Sequence, residues 1–146
     1  MTPLEVVEYL INEYGWNKEQ ACAIVANLVW ESGGKRIGKV KDWTIDTRAL
    51  GDAGKAHGAG QWQKDRYWGL LAYTAAQWPL RSSSELQVQL GYINWEMGSS
   101  EKKAKRMLLE ANTLEEATEA VCKYYLRPSV PHLEKRIAIA KSLYDS

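Results

Sequence analysis

Apolar positions at helical spacing, each run preceded by a helix-start signal, cover most of the chain. Thr2-Pro3-Leu4-Glu5 offers an N-cap, a proline at the first helical position and a glutamate three residues after the cap, predicting a helix to about Tyr14 that ends at Gly15. Asn17-Lys18-Glu19-Gln20 repeats that logic, and Ala21 to Trp30 reads as a helix with a buried face, stopped at Gly33-Gly34. Ser82-Ser83-Ser84-Glu85 caps a further helix, in which Leu86, Leu90, Ile93 and Met97 share one face before Gly98. A short charged helix over 100–112 follows. Thr113-Leu114-Glu115-Glu116 caps the next, which runs to about Leu126, and Pro131 opens a last helix toward Tyr144.

One stretch departs from this pattern. Seven glycines (33, 34, 38, 51, 54, 58 and 60) fall between Gly33 and Gln63, with Trp43 and Trp62 among them. Glycine at that density means tight turns or backbone held close to another group. It predicts a small β-hairpin or ordered loop between helices, in one domain spanning 1–146. The fold class is therefore α+β, predominantly helical.

Composition narrows the function classes. Lys+Arg 19 against Asp+Glu 18 leaves a net charge of +1, so there is no global basic field to hold nucleic acid. No apolar run approaches the roughly 20 residues that span a bilayer, so no membrane insertion is expected. The N-terminus lacks the basic flank and apolar stretch of a signal peptide, which predicts a protein made and kept in a cytoplasm until something releases it. Cys22 and Cys122 read as buried reduced thiols on helices, and with only His57 and His132 to assist them no metal site or other cofactor is expected. Seven Trp, eight Tyr and no Phe give many flat rings with a polar handle, which suit sugar stacking as well as a core.

Two carboxylates stand out. Glu31 ends the second helix directly before Ser32-Gly33-Gly34, where the negative end of the helix dipole and the flanking Val29 and Trp30 favour a neutral carboxyl. A carboxylic acid that keeps its proton near neutral pH is what general-acid cleavage of an acetal requires. Glu96, which also precedes a helix-ending glycine, has no glycine-rich segment after it and serves as a control. The second candidate is Asp52, framed as Gly51-Asp52-Ala53-Gly54 and followed by His57-Gly58-Ala59-Gly60-Gln61-Trp62.

The ordered set of Glu31-Ser32-Gly33, then Gly-Asp-x-Gly, then Gly58-Ala59-Gly60-Gln61-Trp62 resembles the phage tail lysozyme (phage muramidase) family. Its hairpin register is similar to that of goose-type lysozymes. Tyr125-Leu126-Arg127-Pro128 and the basic helix at Lys135-Arg136 resemble the C-terminal end of the same phage family. The likeness runs from Gly15-Trp16 to Arg136. It implies a lysozyme-like fold and bacterial peptidoglycan as partner and substrate, cut at the β-1,4 bond between N-acetylmuramic acid and N-acetylglucosamine.

Carried over by position, Glu31 becomes the general acid and Asp52 the second carboxylate, with inversion expected by analogy with goose-type enzymes. Gln61 would line the cleft floor, Trp62 would pack beside a sugar, and Gly58 and His57 would complete the substrate-facing loop, His57 without a catalytic role. Two departures matter. The stretch between Glu31 and Asp52 is longer than in goose-type enzymes and holds Asp46, a rival to Asp52; and Gln63 stands where those enzymes place a further aspartate. Lys35, Arg36, Lys39 and Lys41 form a basic run beside the expected cleft, and Lys102, Lys103, Lys105 and Arg106 form a wet helix face. Arg127 reads as a structural residue that holds the C-terminal turn. The expected protein is a monomeric peptidoglycan hydrolase, held in the host cytoplasm until a membrane hole opens or carried in a virion tail. A lytic transglycosylase on the same fold and a non-catalytic wall-binding phage module are the alternatives.

Overall fold

The capping signals translate into structure at the N-terminus. In the computed structural model, which describes residues 1–34 and 37–146, Thr2 and Glu5 close a reciprocal capping box on α1 (Pro3–Tyr14), and Gly15 ends it in the left-handed region with φ 75°. Asn17 and Gln20 do the same for α2 (Lys18–Glu31). Every residue of α2 from Gln20 to Val29 is buried. An apolar helix covered on all sides is the axis of a core rather than a surface element, and α1, α6 and α7 pack around it.

After α2 the glycine-rich stretch forms a short helical turn (Val40–Asp42) and a two-stranded antiparallel hairpin, β1 (Leu50–Gly51) and β2 (Ala56–His57), paired Leu50 to His57 and Gly51 to Ala56. Then come α3 (Lys64–Ala75), α4 (Leu86–Met97), α5 (Lys102–Glu110), α6 (Leu114–Ala120) and α7 (Leu133–Tyr144). A wider π-helical turn, Val121–Leu126, continues α6. The result is a predominantly helical α+β fold, as the patterning predicts.

Three details differ from expectation. The pattern gave no sign of α3, whose buried residues are only Leu70 and Thr74 and whose N-cap, Gln63, makes no side-chain capping bond. The serine run does not cap α4 directly: Glu85 takes the N-cap position, and its carboxylate accepts from the Ser82 amide (2.8 Å) and Arg81 (3.0 Å). The last helix starts at Leu133, after His132, rather than at Pro131. Both cysteines are buried and unbridged. Of the basic runs, Lys35 and Arg36 lie outside the described residues, Lys39 and Lys41 are exposed, and Lys102, Lys103, Lys105 and Arg106 form the exposed face of α5. Among the described residues, no helix is long and apolar enough to cross a membrane.

Candidate active site

The end of the central helix and the tip of the hairpin meet at one open cleft of about 520 Å³. Glu31, the last residue of α2, and Asp52, the first residue after β1, both line it. Gln61 and Gln63 form part of the same wall, and Leu126 to Ser129, the chain leaving the π-helical turn, form another. Asp52, Ala53 and Gly54 have φ of 49°, 56° and 86°, so the hairpin turns on three successive left-handed residues that carry the Asp52 side chain out at an exposed tip.

Gln61, itself at φ 52°, turns its carboxamide back into the hairpin and donates to the carbonyls of Gly58 (2.9 Å) and Ala49 (3.3 Å). Its Oε1 lies so close over Gly51 that a Cβ there would overlap it. The glycine before Asp52 thus admits the glutamine.

Glu31 is met by a charge that its sequence neighbours gave no sign of. Its side chain is 15% exposed, and Oε1 accepts from Nη2 of Arg136 at 2.7 Å. The apolar helix end expected from Val29 and Trp30 is therefore only part of its surroundings. Arg136 sits on α7, is 1% exposed, and falls in register with the buried Ile139, Ala140 and Leu143. A charge placed in an apolar stripe at helical spacing was the signal for it.

The remaining candidates, Arg127 apart, lie elsewhere. Asp46 is exposed and does not line the cleft; its Oδ1 accepts from the Arg48 amide (2.9 Å), and its own amide donates to Ser32 Oγ (3.0 Å). That is a carboxylate turned back on its own loop. Trp62 does not lie beside a sugar site. It is 1% exposed, bridged in antiparallel fashion to His57, and its Nε1 donates to the Tyr125 hydroxyl at 3.2 Å. The short hairpin return turns this ring into the core. His57 stacks on Tyr67 with ring centroids 3.7 Å apart, and His57 and Gly58 border a separate hollow together with Tyr67 and Gln89. Arg127 hydrogen-bonds Glu101 and the Tyr124 carbonyl (2.7 Å), and it also lines the cleft.

Glu96, the control, is more deeply buried than Glu31. It is 2% exposed and accepts from Arg66 Nη2 (2.9 Å), Tyr125 (2.6 Å) and Tyr92 (3.1 Å). Among the described residues, no group of three or more His, Cys, Asp or Glu stands ready to hold a metal ion.

The model of one protein family, described as phage tail lysozyme, matches residues 2–146. The chain belongs to this family. Comparison with curated proteins and with solved structures gave no match. Membership in the phage tail lysozymes identifies the fold as lysozyme-like and points to a peptidoglycan-acting function of the glycoside hydrolase type.

Proposed function

We propose that this chain is a muramidase that hydrolyses the β-1,4 bond between N-acetylmuramic acid and N-acetylglucosamine, with Glu31 as general acid and Asp52 as second carboxylate. The observation that carries the reading is that both side chains line one open cleft, although they come from different elements. Two carboxylates flanking a glycosidic bond supply both halves of the reaction: a proton for the leaving oxygen, and stabilisation of the cationic sugar carbon or activation of a water.

In the proposed sequence, Glu31 protonates the bridging oxygen and the C1–O bond breaks with its electron pair going to that oxygen. A water then adds to C1 as Asp52 takes its proton, with inversion at C1. Asp52 is favoured over Asp46 because its tip position is on the cleft, whereas the Asp46 carboxylate is engaged with the Arg48 amide. Gln61 lines the same cleft. The enzyme acts on the wall as a phage-derived protein, released from the host cytoplasm or carried by the virion.

Digestion of purified peptidoglycan by wild type, Glu31→Gln and Asp52→Asn, with products read by mass spectrometry, tests this. Reducing muropeptides from wild type, a loss of about 10³-fold in Glu31→Gln and a loss of about 10²-fold or more in Asp52→Asn are expected. Anhydro products would make the chain a transglycosylase. Binding without turnover in the wild type would make it a wall-binding module.

A further inference from the structure

Arg136 is the most enclosed cation described in the molecule, and its guanidinium meets three acceptors, two on α2 and one in the chain before α7. Nη2 donates to Glu31 Oε1 (2.7 Å), Nη1 to Asn27 Oδ1 (3.1 Å) and Nε to the Pro131 carbonyl (2.7 Å). Asn27 is fully buried and commits its own amide to the carbonyls of Ala23 (2.8 Å) and Thr118 (3.2 Å), which leaves its oxygen aimed at the arginine. A guanidinium out of water is tolerated when its fork meets acceptors in this way.

We propose that Arg136 is a positioning residue that decides which oxygen of Glu31 carries the catalytic proton. This rests on the assignment of Glu31 as the acid. Arginine has donors and no acceptor, so Oε1 is an acceptor toward Nη2 whether Glu31 is charged or neutral. The transferred proton therefore rides on Oε2. When the Oε2–H bond breaks and the proton passes to the glycosidic oxygen, negative charge develops on a carboxylate that already has its counter-charge in place. The bond to Pro131 ties the same guanidinium to the segment that continues from the Leu126–Ser129 wall, so acid and wall keep one spacing. Among the described residues, the other charged or titratable groups around Glu31 include Asp52 and Arg127 on the cleft, Lys135 and His132 against the Trp30 ring, and Cys122, whose thiol is raised by burial and is acted on by both Arg136 and Glu31.

The test compares Arg136→Gln, Arg136→Lys and Asn27→Ala on soluble glycan-chain fragments, with rates normalised to the folded fraction by circular dichroism. In Arg136→Gln, kcat is expected to fall about 30-fold or more with KM within about 3-fold, because a buried arginine touches no substrate. Arg136→Lys, which keeps the charge, recovers part of kcat. Asn27→Ala keeps the bond from Arg136 to Glu31, so its kcat per folded molecule stays near wild type. An Arg136→Gln enzyme with wild-type kcat would overturn the proposal, even while Glu31→Gln is inactive. Turnover retained in Glu31→Gln would instead overturn the acid assignment beneath it. If Arg136→Gln does not fold, Arg136→Lys decides: one ammonium cannot replace a three-way fork, so an unchanged kcat per folded molecule sinks the idea.

Discussion

Gly51 and Gln61 hold each other in place beneath the candidate aspartate. A methyl group on Gly51 would push into the Gln61 carboxamide and break its bonds to the Gly58 and Ala49 carbonyls. Gly51→Ala is expected to lose about 1–3 kcal/mol, read as a lower urea midpoint, with kcat/KM on peptidoglycan falling as the cleft wall shifts. Gly54 is a useful contrast. Its surroundings are open and only its φ of 86° opposes a side chain, so Gly54→Ala is expected to cost about 1 kcal/mol and to act through the turn alone. Trp62 shows how far residue type can be read. Its Gly-x-x-Gln-Trp context was legible, but the direction of its ring was not, because that depends on the backbone pairing of His57 with Trp62. Trp62→Phe keeps most of the volume and loses the bond to Tyr125; about 1 kcal/mol of stability should go, with glycan binding in a pelleting assay unchanged.

Helices with side-chain caps were legible because the cap is a local event: Thr2, Asn17 and Thr113 each bond an amide three residues on. The helix α3 was not, since its place is held by partners distant in sequence. Arg66 near its start reaches Glu96 on α4 (Nε 3.1 Å, Nη2 2.9 Å) and the Tyr125 carbonyl (2.8 Å), while Tyr92 donates back to the Arg66 carbonyl at 2.6 Å. Glu96 and Arg136 are the same kind of omission, a charge on a core-facing position whose partner lies far along the chain. The proposed pair, Glu31 and Asp52, stands in local glycine frames; the cation beside Glu31 is marked only by its place in the apolar stripe of α7. Replacing Glu96 by Gln leaves Arg66 only the more distant Glu101 (3.9 Å) as a counter-charge and puts an NH2 group where a carboxylate oxygen accepted hydrogen bonds. The expected loss is about 3 kcal/mol in a denaturant titration. Thr113→Ala, which removes only a cap, should lose about 1 kcal/mol.

The buried acids of the whole molecule set its alkaline limit. Burial pushes the Cys22 thiol up to about 11, and burial raises the phenols of Tyr14, Tyr92 and Tyr125, with the Glu96 carboxylate adding to the effect on the last two. In the unfolded chain these groups ionise at ordinary values, near about 8.5 for a thiol and about 10 for a phenol. Between the ordinary and the raised values the unfolded chain releases protons that the folded chain keeps, so the free energy of unfolding falls as pH rises. The stabilisation is complete below the ordinary values and is lost as pH climbs through the raised ones. Urea midpoints should therefore hold steady to about pH 8 and drop steeply by about pH 10.5. Tyr125→Phe should flatten that drop even though it lowers stability at neutral pH, because it removes a phenol that the fold forbids to ionise while also deleting the hydroxyl that bonds Glu96. A midpoint that stayed level across this range would mean that the enclosed rings reach water in the folded state. In that case the Glu96 cluster would not be the dry joint between α4 and the π-helical turn that its geometry describes.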